Sequence, residues 1–234
     1  MDSDLTTFLI PSTAYSKGDF MDTANDYRIL LAEKGVEELL RVSQSLQVQG
    51  RKKFIEAVKS MASEVQNVKY CYLSPPEIAE LENFQNLVNT AESLRGMLPD
   101  DREYSTITAD YWLEYIKNLP ELMQRGEISR AYEAIRYFAG EITSRTDLDS
   151  LWLCIFDCGV RLEVVTNSDE YRQGRKAVVA YLPPRKFGKV VSRGMFVLQH
   201  DRIAKKGELT IDDIRSIAKM LGEVEALLIN LLEK

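Results

Sequence analysis

Residues 138–167 read FAGEITSRTDLDSLWLCIFDCGVRLEVVTN and residues 168–198 read SDEYRQGRKAVVAYLPPRKFGKVVSRGMFVL. Short β-rich segments recur here: Ile135–Thr143, Leu151–Phe156, Arg161–Thr166, Ala177–Leu182 and Val190–Leu198. Glycines, prolines and polar clusters separate them. Strands spaced this way predict a small barrel or sandwich. A five-stranded OB-type barrel is the economical choice, because closure removes unpaired edges. The expected barrel covers residues 129–206.

Working outward, residues 1–128 read as an α-helical domain without a motif that carries chemistry. Thr23 is a candidate cap for a helix reaching about Gln47. A stripe from Phe54 to Val65 follows Gly50, and Pro75-Pro76 opens a third helix, since proline fits the first turn. The third stripe runs from Ile78 through Phe84 and Leu87 to Leu94, and Thr108 is a candidate cap for a fourth helix. Two apolar runs, Leu5–Ile10 and Val68–Leu73, read either as paired strands or as buried loop. After the barrel, residues 207–234 read as an amphipathic helix. Thr210 with Asp213 makes a capping box, and Ile214, Ile217, Leu221, Val224, Leu228 and Leu231 form its stripe. That stripe either docks on the barrel or forms a homodimer interface. The expected class is therefore α+β.

Charge points to a binding role. The chain carries −6 overall, yet residues 172–206 hold ten basic residues and one acid. Such asymmetry suggests a face that meets an anion. The three cysteines, Cys71, Cys154 and Cys158, suit a reducing compartment, and no apolar run is long enough to span a membrane. A cytoplasmic protein is expected. No nucleotide-binding loop, nucleophile elbow or zinc-binding pair occurs, and the single histidine, His200, reads as an exposed loop residue. Neither an enzyme nor a cofactor is implied.

The ordered pieces Ala139-Gly140-Glu141-Ile142, Phe156-Asp157-Cys158-Gly159, Val165-Thr166-Asn167, Gly174–Val178, Pro184-Arg185-Lys186 and Ser192-Arg193-Gly194-Met195 resemble a known module. It is the tRNA-binding OB module appended to methionyl- and tyrosyl-tRNA synthetases and found in free-standing tRNA-binding proteins. The resemblance implies that Asn167, Arg185, Lys186, Ser192 and Met195 contact RNA. Charge adds Arg172, Arg175, Lys176, Lys189 and Arg193. Asn167 reads equally as a turn cap, and Met195 as core. The module's His-Pro-containing loop is replaced by Arg145–Trp152, where only Asp149 and Leu151 remain of its pattern. By resemblance the chain is a tRNA- or structured-RNA-binding protein acting in trans, with an aminoacyl-tRNA synthetase as a further partner. The alternative is a protein-interaction or chaperone-like module.

Overall fold

The computed structural model describes residues 21–199 and 206–234. Helix α1 (Tyr27–Val42) is capped by Asp26, whose carboxylate accepts the Arg28 N–H. Thr23 does not cap it. Its hydroxyl donates to the Lys69 carbonyl at 2.8 Å and accepts the Tyr72 N–H, tying the chain to the end of α2 (Arg51–Lys69). Phe54, Val58, Met61 and Val65 of α2 are buried, as their spacing requires.

The third expected helix is two helices. α3 (Pro75–Glu80) starts at a Ser74–Glu77 capping box, Leu81 leaves the helical conformation, and α4 (Glu82–Arg95) restarts. At 3.6 residues per turn, an unbroken helix would place Leu87 about 180° around the axis from Ile78. The break at Leu81 lets Ile78, Phe84 and Leu87 all enter one core. Helix α5 (Tyr104–Lys117) begins ahead of Thr108. Thr108 lies inside it and donates to the Tyr104 carbonyl, the local back-bond available to a threonine within a helix. A short α6 (Leu119–Met123) completes the helical part. Val68–Leu73 forms no strand: Val68 and Lys69 finish α2 and Tyr70 caps it. Leu5–Ile10 lies outside the described residues, as does His200.

A 3-10 turn, η1 (Ala131–Ala134), leads into the sheet. Its strands are β1 (Tyr137–Leu148), β2 (Leu151–Asp157), β3 (Arg161–Thr166), β4 (Lys176–Ala180), a hairpin of β5 (Arg185–Phe187) and β6 (Val190–Ser192), β7 (Met195–Gln199) and the short β8 (Gly207–Glu208). The main path runs β3-β2-β1-β4-β7, antiparallel throughout, and β8 adds to β1. The long β1 serves two partners. Residues 137–141 pair with β4 and residues 141–148 with β2, and a register shift between Ile142 and Ser144 bends the strand. Gly140 sits at this crossing. A Cβ there would overlap the Asp157 carbonyl oxygen and lie 2.8 Å from the Phe156 ring. Asp149, at φ 65°, and Ser150 make the tight turn into β2.

The expected closed barrel is not formed among the described residues. The ends of the path, β3 and β7, share no hydrogen-bond ladder. Single bonds bridge β3 to β6 and the segment after it: the Val165 N–H donates to Ser192 Oγ at 3.0 Å, and the Arg193 N–H donates to the Glu163 carbonyl at 2.8 Å. The fifth expected strand, Val190–Leu198, is split at Gly194, because the backbone there passes so close to β4 that a Cβ would meet the Ala180 oxygen at 2.5 Å.

Helices and sheet share one continuous core. Tyr115 donates to the Ala134 carbonyl at 3.0 Å, and Tyr111 packs against Tyr181 with ring centroids 5.0 Å apart. The C-terminal segment starts at the Thr210–Asp213 capping box but is not one helix: α7 (Ile211–Ser216), a 3-10 turn (Ala218–Met220) and α8 (Gly222–Leu232) follow in turn. Ile214, Leu221, Val224 and Leu228 are buried, and α8 packs on η1 and α1. Arg130–Glu225 and Arg215–Glu133 ion pairs fasten it. No described helix is long and apolar enough to cross a membrane.

Candidate nucleic-acid interface

The β5–β6 hairpin has no ladder to the main sheet. Pro183-Pro184 stiffens its entry, and Gly188, at φ 59°, leads a tight turn completed by Lys189. Arg185, Lys186 and Lys189 are exposed, and the hairpin contains no acid. Side chains alternate along a strand, so Arg185 and Phe187 share one face and Lys186 takes the other. Arg185 and Phe187 both line a cleft of about 900 Å³, and the Arg185 guanidinium lies 5.3 Å from the Phe187 ring centroid.

The cleft is bounded by the hairpin, the loop after β3, the start of β7 and one side of α8. It gathers Asn167, Arg185, Ser192 and Met195 from segments far apart in sequence. Asn167 is exposed at the lip, and Met195 is half-buried against the core. The walls include residues outside the expected contact set: Tyr171, Phe187, Glu170, Glu223 and Leu227. Tyr171 is half-buried and stacks in parallel on Phe196, with centroids 4.4 Å apart and planes at 15°. Burial pushes its hydroxyl pKa up, with Glu170 and Glu223 adding to the shift. Phe187 was legible as an alternating hairpin position and Tyr171 as an aromatic residue in a polar loop. Nothing local to α8 shows that it walls a cleft.

Two of the expected contact residues have other partners. Ser192 is only 3% exposed and acts as a latch, accepting from Val165 and donating to the Gly194 carbonyl at 2.9 Å. Arg193 turns towards the helices. Its guanidinium donates to Asp110 and to the Tyr181 hydroxyl, each at 2.9 Å. Burial opposes the Arg193 charge, but Tyr181, Asp110 and Glu114 keep its pKa above the ordinary arginine value. Asp110 also pairs with Arg95, and Glu114 with Arg95 and Arg136, so Arg193 belongs to a charged seam between helices and sheet.

The cationic stretch 172–206 is therefore not one face. Arg175 and Lys176 stand at the start of β4, whereas the cleft lies beyond its end, where Leu182, Pro183 and Pro184 line it. Arg172 donates to the Asp169 carbonyl, and Lys206 pairs with Asp157 at 2.5 Å. Arg202 and Lys205 lie outside the described residues. The expected Arg145–Trp152 loop is the end of the β1–β2 hairpin, where Arg145 covers the Trp152 ring at 4.0 Å and pairs with Asp169, which occupies its charge.

Cys154 and Cys158 are buried, burial raises both thiol pKa values, and their sulfurs donate to backbone carbonyls. Among the described residues, no group of three or more His, Cys, Asp or Glu side chains could hold a metal ion.

A family model described as an alpha helical domain matches residues 20–126. The match covers α1 to α6 and stops short of the sheet; of the residues that line the cleft it includes Tyr104. No curated protein matches the chain.

Proposed function

We propose that this protein binds structured RNA, with tRNA the leading ligand, through the β5–β6 hairpin and the cleft beside it. One observation carries the reading: an acid-free hairpin exposes Arg185, Lys186 and Lys189, and Arg185 also lines a cleft that gathers Asn167 and Met195. Phosphate affinity comes from such cations, and arginine meets a phosphate with two parallel N–H bonds. Bases held in an apolar cleft add contact that cations alone lack. The strand path β3-β2-β1-β4-β7, with its ends bridged by single bonds, supports an OB-type module, a five-stranded and partly open architecture. On this reading Ser192 and Arg193 shape the site, and Asn167, Arg185, Lys186, Lys189 and Met195 face the ligand. The protein acts in trans, as an accessory to tRNA handling by an aminoacyl-tRNA synthetase.

A second reading, a protein-interaction module, draws on Leu227 and Ile229 of α8, which are 39% and 37% exposed. Leu227 lines the cleft, where an apolar side chain of a protein partner would pack in place of a base. Fluorescence anisotropy of labelled total tRNA with the full chain, across a salt series, separates the two. Binding at low salt that weakens linearly in log–log form supports the RNA reading. No binding at low salt by folded protein overturns it.

A further inference from the structure

The cleft is built unlike the hairpin beside it. Among the described residues, Arg185 and Lys234 are the cations that line it, and Glu170 and Glu223 are the acids, so its interior has no cationic excess. Lys186 and Lys189 do not line it. A phosphate is therefore drawn to the hairpin and gains nothing by moving inward past two carboxylates. Aromatic and apolar surface dominates the floor, with Tyr171 on Phe196 and Phe187 on the hairpin wall. The Tyr171–Phe196 stack holds the Tyr171 ring in place from below. The cleft volume of about 900 Å³ is ample for a base. It falls within the range over which proteins enclose small ligands.

Resting on the RNA-binding reading, we infer that the cleft takes an unpaired nucleobase while the flanking phosphates stay outside on the hairpin. The ligand is then RNA with a single-stranded stretch rather than a continuous duplex, because paired bases are stacked away from any side chain. The polar rim also chooses among bases. The Glu170 and Glu223 carboxylates only accept hydrogen bonds, and the Asn167 amide both donates and accepts. Bases with an exocyclic amino group, such as cytosine and adenine, supply a donor to those carboxylates. Uracil presents the O4 carbonyl where cytosine presents its amino group and keeps a single donor, N3–H, so it is disfavoured. Tyr171 and Phe187 are thus the contacts that distinguish a base from a phosphate.

The test measures the full chain against three probes at one salt concentration: an oligocytidylate, an oligouridylate of equal length, and a blunt RNA duplex. Cytidylate should bind most tightly, uridylate more weakly and the duplex weakest per phosphate. Phe187→Ala should weaken cytidylate binding by about 5- to 150-fold, the range for one lost stacking contact, with the salt slope unchanged. The same variant should leave duplex binding unaltered, which a general loss of folding would not do. Equal affinity for cytidylate and uridylate overturns the inference, as does a Phe187→Ala variant that binds cytidylate normally. In either case salt-dependent binding to total tRNA would still stand. If no RNA probe binds, tRNA included, the RNA-binding reading itself fails, and the cleft becomes a site for another ligand such as a peptide.

Discussion

Replacing Ser192 with alanine separates a structural latch from an RNA contact. The Ser192 hydroxyl accepts from the Val165 N–H at 3.0 Å and donates to the Gly194 carbonyl at 2.9 Å, at 3% exposure. With the Arg193 N–H to Glu163 bond, it ties β3 to the segment after β6. Each lost bond costs about 1 kcal/mol net, and a stranded buried donor raises the total, so Ser192→Ala should cost about 2–3 kcal/mol. At about 2–4 °C per kcal/mol for a chain of this size, Tm should fall by about 4–12 °C. Circular dichroism melts at neutral pH read this directly, and amide hydrogen exchange at Val165 should accelerate in step. Binding of tRNA by the folded variant, measured well below its Tm, should be unchanged. An unaltered Tm with weakened RNA binding would refute the latch and return Ser192 to the ligand face.

Other contacts give three further outcomes. Gly140→Ala places a methyl group against the Asp157 carbonyl and, at 2.8 Å, the Phe156 ring. Overpacking of this kind should cost about 1–3 kcal/mol, read as a lower midpoint in urea. Arg193→Ala strips Asp110 and the Tyr181 hydroxyl of a charged donor. It should cost about 1.5–3 kcal/mol, with the salt slope for tRNA unchanged. Burial alone would raise the Glu133 pKa, but Arg215 and the N–H groups of Ser129 and Arg130 hold it below the ordinary carboxylate value. Its contribution is thus fully present above the unfolded pKa of about 4.3 and lost as pH falls through the lower folded value. Between those two values stability should be less sensitive to pH in Glu133→Gln than in the native chain, which pH-dependent melts would show.

Local patterns were legible in the sequence and long-range encounters were not. The short β-rich run Leu151–Phe156 between polar clusters places β2 to within a residue, and the Thr210–Asp213 pair marks the start of α7. Thr23 and Thr108 misled for one reason: a threonine hydroxyl that suits a cap also bonds a carbonyl elsewhere, and only the fold decides which. The stripe from Ile78 to Leu94 looked like one helix, yet the phase between Ile78 and Leu87 already demanded a break. Charge counting grouped Arg193 with the hairpin cations because Asp110, its partner, is 83 residues away. Asn167, Arg185 and Met195 were singled out together, by the resemblance. That they share a cleft with Tyr171 and α8 depends on how the loop after β3 and the C-terminal segment pack.

The central claim is that the hairpin cations capture RNA. It is tested most directly by the salt dependence of total tRNA binding for the native chain and for the combined Arg185→Ala, Lys186→Ala and Lys189→Ala variant. All three side chains are exposed, so Tm should hold. Each lost phosphate contact removes about 0.7–0.9 from the slope of log K against log salt, so the variant's slope should be shallower by about 2–3, with weaker binding at low salt. A variant that keeps both its affinity and its slope would contradict the account and place the RNA on another face.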